Sequence, residues 1–209
     1  MTTDEDRALL EAWRQGDAQA GNRLLKRHFD ALYRFFRNKV DHGIEDLIQA
    51  TFLACVRSRD KFRGDCSFRT YLFVIARHEL YRSIRTRKRD RLVFDPDADS
   101  VHDLNPGPAT IAAKKAEQKL LLRALRRIPV DLQVALELHY WEQLTTRELA
   151  EVLEVPQGTV KSRLRRAREA LEGAMADLAE TPQQLQSTVG DLEMWARSIK
   201  QQVGKGQGG

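Results

Sequence analysis

Cysteine, long apolar runs and glycine-rich motifs are all scarce in this chain of 209 residues. The two cysteines, Cys55 and Cys66, have no Cys-x-x-Cys spacing nearby, which argues against a disulfide framework and against a structural zinc. The longest apolar runs, such as Tyr71 to Ala76, fall far short of the roughly 20 residues that span a bilayer. The N-terminus has no basic stretch followed by an apolar one. We therefore expect a cytoplasmic protein that does not insert into a membrane.

Side-chain arrangements typical of catalysis are also missing from the sequence. We find no glycine-rich phosphate loop, no nucleophile arrangement and no metal-ligand cluster, and the histidines are scattered without catalytic spacing. These histidines are His28, His42, His78, His102 and His139. We expect a protein that is not an enzyme and that uses no cofactor or metal.

Basic residues are in modest excess. Lys and Arg total 35 against 30 Asp and Glu, which gives a formal charge of +5 and a sequence pI of about 9.4. This balance favours a polyanionic partner over an acidic substrate, although the placement of so small an excess matters more than its size. Leu, Ala, Arg and Glu dominate the composition, which favours helices over strands.

Helical periodicity dominates the first domain, which we predict to cover residues 1–91. Apolar side chains recur at three- and four-residue steps from Glu5 to about Lys39, with Asp17 as a cap between two helices. A third helix is predicted from Ile44 to about Arg59 and a fourth from Ser67 to about Arg89. Together these helices form one four-helix module.

Residues 92–112 differ in composition and are predicted to form a flexible acidic linker. Apolar periodicity is interrupted there by Asp95, Pro96, Asp97, Asp99, Asp103, Pro106, Gly107 and Pro108. Helical periodicity returns from Ile111 to Ile128, stops at Pro129 and resumes up to Tyr140. The sequence therefore predicts an all-α protein of two helical domains, the second of which covers residues 113–178.

A helix-turn-helix is predicted within this second domain. Thr145 and Glu148 have the spacing of a capping box, so a helix should begin there and carry Leu149, Val152 and Leu153 inward. The segment from Glu154 to Gly158 is too short and too rich in turn residues to continue that helix. A second helix from about Gln157 has one buried seam. The seam consists of Val160, Leu164, Ala167 and Leu171.

The face opposite this seam is basic. It carries Thr159, Lys161, Ser162, Arg165, Arg166 and Glu169. Guanidinium groups and a hydroxyl at the N-terminal half of a helix match base edges and phosphates in duplex DNA. A solvated basic helix in an ordinary bundle is the alternative, but the cap, the turn and the one-sided basic face coincide at the spacing of the motif. The pattern indicates DNA binding without indicating which DNA.

The predicted fourth helix offers a second candidate surface for nucleic acid. Its apolar side holds Phe68, Leu72, Ile75 and Ala76. A separate arc holds Tyr71, His78, Tyr81, Arg82 and Arg85. Aromatic rings interleaved with guanidinium groups suit unstacked bases, since stacking contributes about 1 to 3 kcal/mol per base. The tyrosines could equally well belong to the core of the domain. The arginines could form an ordinary solvated face of the helix, as runs of charged residues often do.

Three segments, taken in order and spacing, resemble the extracytoplasmic-function (ECF) group of bacterial sigma factors. They are Asp46 to Phe52, Phe68 to Arg77 and Gly158 to Arg168. The match extends over roughly Glu5 to Leu171. The resemblance implies that the first domain is sigma region 2, which binds the clamp of RNA polymerase and opens the minus-ten promoter element. It implies that the second domain is region 4, which reads the minus-thirty-five element and touches the polymerase flap.

The resemblance also assigns roles to surface residues. Core polymerase would bind the outer face of the third helix, at Asp46, Gln49, Leu53 and Arg57. The melted minus-ten strand would contact Tyr71, His78, Arg82 and Arg85. The minus-thirty-five duplex would contact Thr159, Lys161, Ser162, Arg165 and Arg166. An outward Leu53 suits a partner surface, and packing of Leu53 on the first helices is the alternative.

Some features depart from the family or extend it. The family often has Trp at the position of Tyr71, Asn at that of His78 and Asp at that of Arg82, so the base preference of the minus-ten site is left open. The linker resembles the family's connector, where its aspartates either mimic nucleic acid or form a plain tether. Many relatives are held inactive by an anti-sigma factor, and the resemblance leaves such a partner possible here.

Residues 179–209 form an extension beyond the matching segments. Thr181 and Gln184 have capping-box spacing, with Pro182 at the first helical position. An amphipathic C-terminal helix is predicted from Leu185, Val189, Leu192, Ala196, Ile199 and Val203. We hypothesise that it packs on one of the domains and modulates access to promoter or polymerase; the alternative is a structural extension of the second domain. Residues 204–209 are expected to be disordered.

The leading prediction is thus a subunit that brings polymerase to promoters. A free-standing repressor or activator would use the helix-turn-helix without entering polymerase, but it would leave the first two matching segments unexplained. A helical adaptor that holds a signalling partner is a further alternative. Binding to core polymerase separates the first function from the other two.

Overall fold

The computed structural model describes residues 2–90 and 120–179, and all the regular structure in these two ranges is helical. This confirms the predicted all-α class. The described residues fall into two compact units, the first with residues 2–90 and the second with most of residues 120–179. The predicted linker and the predicted C-terminal helix lie outside the described ranges. Within those ranges, no helix has the length and apolar character needed to cross a membrane.

The first unit contains four helices and one short 3-10 turn. Its elements are α1 (Thr2–Arg14), α2 (Ala18–Arg37), α3 (Ile44–Ser58), the 3-10 turn Arg59–Lys61 and α4 (Phe68–Asp90). Asp17 caps α2, since its carboxylate accepts from the backbone N–H groups of Gln19 at 2.8 Å and Ala20 at 3.0 Å. The Ser67 hydroxyl accepts from the backbone N–H of Thr70 at 3.0 Å and caps α4 in the same way. The predicted helices are confirmed to within a few residues.

The core of the first unit lies where α2, α3 and α4 meet. Its largest fully buried side chains are Leu24, Leu32, Phe36, Ile48, Leu72, Phe73 and Leu80. The rings of Phe35 and Phe73 contact each other with centroids 5.7 Å apart. A buried hydrogen bond joins α1 to α2, since His28 Nε2 lies 2.9 Å from the Asp6 carboxylate.

Helix α4 contacts α1, α2 and α3, and this widens its buried arc beyond the predicted side. Phe68, Leu72 and Ala76 are buried as expected. The helical period places Ile75 on the same apolar side, but Ile75 is only half-buried, and Phe73, which lies off that side, is buried. A single apolar face is therefore the wrong description for a helix that packs on several neighbours.

The second unit contains four helices in the described range. They are a helical stretch over 120–127 (α5), α6 (Val130–Tyr140), α7 (Thr146–Leu153) and α8 (Gln157–Leu178). Leucines from all four helices are buried, among them Leu121, Leu138, Leu149 and Leu171. Helix α8 packs on α6, and the Arg168 guanidinium lies over the Tyr140 ring at 5.4 Å from its centroid. Outside the side chains that pack inward, most residues in the N-terminal half of α8 are exposed.

Candidate nucleic-acid and polymerase interfaces

Local hydrogen bonds fix the start of α7 and its connection to α8. The Glu148 carboxylate accepts from the backbone N–H of Thr145 at 2.9 Å, and the Thr145 hydroxyl accepts from the backbone N–H of Glu148 at 3.2 Å. These reciprocal bonds confirm the predicted capping box. After α7 the backbone of Glu154 has a φ of 55°, in the left-handed region, which ends the helix. The Gln157 amide then donates to the Thr146 hydroxyl at 3.2 Å and ties the two helix starts together.

Helix α8 has two clearly separated faces. Val160, Leu164, Ala167 and Leu171 are buried as predicted, and Met175 extends the seam by one turn. On the opposite face Lys161, Ser162, Arg165 and Arg166 are exposed and Thr159 is half-buried. The structure thus brings all five predicted duplex-contacting residues to one side of one helix. That side combines cationic groups, hydroxyls and the open N-terminal turn of the helix, a combination that suits an anionic duplex.

Two of these side chains have intramolecular partners. Arg165 forms an ion pair with Glu169 at 2.7 Å, and the Ser162 hydroxyl donates to the Thr159 carbonyl at 2.9 Å. Both members of the ion pair are more than half exposed, so the pair contributes little to stability. Arg165 can therefore exchange this carboxylate for a phosphate or a base at small cost.

The outer face of α3 combines polar groups with exposed apolar side chains. Asp46, Gln49, Leu53 and Arg57 all lie on it and are exposed, as predicted. Leu53 is 49% exposed, which favours the outward orientation over packing on the first helices. Val56 is 41% exposed beside it and was not predicted. Among the residues that the structure describes, these two are the exposed large hydrophobic side chains, which is typical of a surface that a partner covers.

The candidate strand-binding face of α4 holds exposed residues and one half-buried ring. His78, Arg82 and Arg85 are exposed, and Arg82 lies 3.6 Å from the Glu79 carboxylate. Tyr71 is half-buried and stacks on Phe62, with ring centroids 4.6 Å apart and an interplanar angle of 28°. The two roles considered for Tyr71, in the core and at the surface, are thus both compatible with its position.

The hydroxyl of Tyr71 is held by a directed chain of hydrogen bonds. The Ser58 hydroxyl donates its proton to the Ala54 carbonyl at 2.7 Å, so its oxygen is left to accept from the Tyr71 hydroxyl beside it. Burial raises the pKa of Tyr71, while the hydrogen bond between Tyr71 and Ser58 opposes that shift. The phenol is therefore a protonated donor at neutral pH, and it anchors the start of α4 to the end of α3.

Sequence reasoning missed Phe62, which supports this ring. Phe62 follows the 3-10 turn Arg59–Lys61 and contacts both Tyr71 and Phe68, the latter edge-on at 6.3 Å between centroids. Nothing in its local pattern marks it, because it lies between two helices where no apolar period runs. The contact between Phe62 and Tyr71 can be identified only from the three-dimensional structure.

The thiols are poorly suited to chemistry. Burial raises the pKa of Cys55 to about 12 and that of Cys66 to about 11. Both groups are therefore protonated and weakly nucleophilic at neutral pH. In residues 2–90 and 120–179 no group of three His, Cys, Asp or Glu side chains is placed to hold a metal ion.

Comparisons with known proteins match both units. The family model for sigma-70 region 2 matches residues 24–90, and that for sigma-70 region 4 matches residues 118–171. The chain is 31% identical over 182 residues to the ECF RNA polymerase sigma-E factor of Haemophilus influenzae, covering 83% of this chain and 96% of that protein. It is 29% identical over 182 residues to the sigma-E factor of Escherichia coli, with 83% and 95% covered.

Two solved structures share the fold. The sigma factor RpoE of Bartonella quintana, solved with the anti-sigma factor NepR, superposes with a TM-score of 0.60 at 24% identity over 74% of this chain and 96% of that one. CnrH, solved with the cytosolic domain of CnrY, superposes with a TM-score of 0.62 at 23% identity over 84% of this chain and 99% of that one.

Proposed function

The chain belongs to the ECF group of sigma-70 factors, and from this membership we propose that it binds core RNA polymerase and directs it to specific promoters. Polymerase supplies the chemistry, and this chain supplies promoter choice and strand opening without being an enzyme. The observation that carries the proposal is the ordered match of regions 2 and 4 to the two helical units. Because polymerase and promoter DNA share the bacterial cytoplasm, we place the protein there.

We divide the work between the units as follows. Residues 1–91 act as region 2 and residues 113–178 as region 4, with residues 92–112 as the linker and 179–209 as an extension. In region 2, the outer face of α3 binds the polymerase clamp through Asp46, Gln49, Leu53 and Arg57. The exposed apolar pair Leu53 and Val56 supports this assignment, since burying it against a partner removes apolar surface from water.

The face of α4 with Tyr71, His78, Arg82 and Arg85 contacts the melted minus-ten strand. An aromatic ring followed along the helix by an imidazole and two guanidinium groups provides a stacking surface and phosphate contacts. The ring of Tyr71 is half-buried, and Phe62 stacks on one of its faces. Stacking of a base there would be against a ring that is already held in place.

The exposed face of α8 reads the minus-thirty-five duplex. Its residues are Thr159, Lys161, Ser162, Arg165 and Arg166. They lie at the start of the second helix of a helix-turn-helix, the part that enters the major groove in this motif. The polymerase flap is a second partner of this unit.

An anti-sigma factor is the other class of partner that we propose. RpoE, which shares the fold, was solved with the anti-sigma factor NepR, and CnrH was solved with the cytosolic domain of CnrY. An inhibitor that covers the apolar face of α3 would compete directly with the clamp.

A mixing experiment tests the function. The full chain and purified bacterial core polymerase should migrate as one complex and start RNA at defined positions on promoter DNA. A Leu53→Ser, Val56→Ser double variant should lose the complex, whereas Asp30→Ser, at an exposed position of α2 in the same unit, should keep it. A chain that binds duplex DNA without joining core polymerase would instead be a free-standing regulator, and one that binds neither would be an adaptor.

A further inference from the structure

The last turn of α1 holds the segment between α3 and α4. One amino group of the Arg14 guanidinium, Nη2, donates to the Arg59 carbonyl at 2.8 Å and also to the Phe62 carbonyl. The backbone N–H of Phe62 donates to the same Arg59 carbonyl at 3.3 Å. A single cationic donor therefore bridges the two ends of the segment Arg59–Phe62. Such charge-assisted bonds are stronger than neutral ones.

A second contact fixes the same helix end. The Arg59 guanidinium lies over the Trp13 ring at 5.1 Å from its centroid. Trp13 is 6% exposed and lies against Gly21 of α2, where a Cβ would come within 2.6 Å of the indole. The end of α1 is thus fixed on α2, and the segment Arg59–Phe62 is fixed on α1.

The segment in turn holds the ring of Tyr71. Phe62 covers one face of that ring, and the hydroxyl oxygen of Ser58, the residue before the segment, accepts a hydrogen bond from the Tyr71 hydroxyl. Moving the backbone of Phe62 would therefore move the aromatic surface at the start of α4. A continuous set of contacts runs from Arg14 through Phe62 to Tyr71.

We propose that Arg14 is a positioning residue for binding of the melted minus-ten strand. It acts without touching DNA, by fixing the segment Arg59–Phe62 and through it the Tyr71 ring. The inference rests on the proposed role of Tyr71 in strand binding. Residue 14 lies before the region 2 match, which begins at residue 24, so the match itself gives Arg14 no role.

The test uses holoenzyme made from the full chain and core polymerase. The probe is a fork-junction DNA whose unpaired strand carries the minus-ten sequence that wild-type holoenzyme selects from a random library. Arg14→Gln should raise the Kd for this probe by about tenfold, since it removes bonds from a charged donor. Arg14→Lys keeps a cationic donor and should recover most of the binding. Arg7→Gln, the same change at an exposed position of α1, should stay within about twofold of wild type.

Three measurements separate positioning from a general loss of structure. Affinity for core polymerase and for minus-thirty-five duplex should be unchanged in Arg14→Gln. The double variant Arg14→Gln, Tyr71→Ala should bind the fork junction no worse than Tyr71→Ala alone, because both changes disable the same ring. Additive losses, equal losses in all three affinities, or no difference between Arg14→Gln and Arg7→Gln would overturn the inference. A wild-type holoenzyme that does not prefer the fork junction over intact duplex would instead overturn the proposed function.

Discussion

Helix α8 is buried along one seam, whereas α4 contacts α1, α2 and α3. The candidate DNA-binding residues of the two helices therefore differ in how much of each side chain is buried. In α8 the seam is at most 5% exposed from Val160 to Leu171, and Lys161 and Arg165 stand opposite it in solvent. In α4 the candidate residue Tyr71 is half-buried and stacks on Phe62, whereas His78, two turns further along, is exposed. In a helix that packs on one side, the residues that stabilise the fold differ from those that can bind DNA. In a helix that packs on several sides, the same residue can do both.

The largest expected effect lies on the buried seam of α8. Leu164→Ala should lower the free energy of unfolding of the second unit by about 2 to 5 kcal/mol, because it removes buried methyl groups and leaves a cavity. Chemical denaturation followed by circular dichroism measures this loss. Arg165→Ala, one residue further along the helix, is the matched control and should leave stability unchanged. Equal losses in the two variants would mean that the faces of α8 are not separate.

Tyr71→Ala should change stability and strand binding together. Losing a half-buried ring should reduce the free energy of unfolding by about 2 kcal/mol, and losing the stacking surface should raise the Kd for fork-junction DNA about tenfold. Tyr71→Phe keeps the ring and removes only the bond to Ser58, so about 1 kcal/mol should be lost with little change in binding. If Tyr71→Ala weakens DNA binding and leaves stability intact, then α4, like α8, uses different residues for stability and for binding.

Arg165→Ala should act on DNA alone. Affinity for the minus-thirty-five duplex should fall about tenfold and depend less steeply on salt, because one cationic contact no longer displaces counterions. Stability should change by less than about 0.5 kcal/mol, since Arg165 is exposed. Fluorescence anisotropy across a salt series measures both quantities, with Arg123→Ala on an exposed position of α5 as the control. A flat salt dependence of the wild-type chain would count against the contacts proposed for Lys161 and Arg165.

The smallest expected effect is at the start of α7. Thr145→Ala removes one half of the capping box and should lower the stability of the second unit by about 1 kcal/mol. Glu148→Gln keeps an acceptor for the backbone N–H of Thr145 and should lose less. Thermal melting distinguishes the two. A larger loss in Glu148→Gln than in Thr145→Ala would show that the carboxylate charge, not the reciprocal bonding, stabilises this turn.

Local patterns predicted those parts of the fold whose causes are local. The caps at Asp17 and Thr145 involve residues two or three positions away, and the seam of α8 follows from helical period alone. The burial of Tyr71 could not be predicted from the local pattern, because its partners Ser58 and Phe62 come from the end of α3 and from the segment that follows α3. The burial of Phe73 and the partial exposure of Ile75 likewise depend on how many helices surround α4.

Arg14 shows the limit most clearly, since its partners Arg59 and Phe62 lie 45 and 48 residues further along the chain. No periodicity in α1 distinguishes it from Arg7. Val56 was within reach, because it follows Gln49 and Leu53 at helical spacing on the outer face of α3. Which of these surface residues touch polymerase or DNA stays a prediction, since contacts with a partner are not encoded in the packing of the chain itself.

Crosslinking within one promoter complex tests the division of work between the units most directly. A photoreactive amino acid is placed at Ser162 on α8 in one sample and at Arg82 on α4 in another, each in holoenzyme on the same promoter DNA. We expect position 162 to crosslink to the upstream duplex and position 82 to the unpaired strand near the start site. Crosslinks from both positions to one element, or the same crosslinks without core polymerase, would contradict a sigma factor that engages two promoter elements at once.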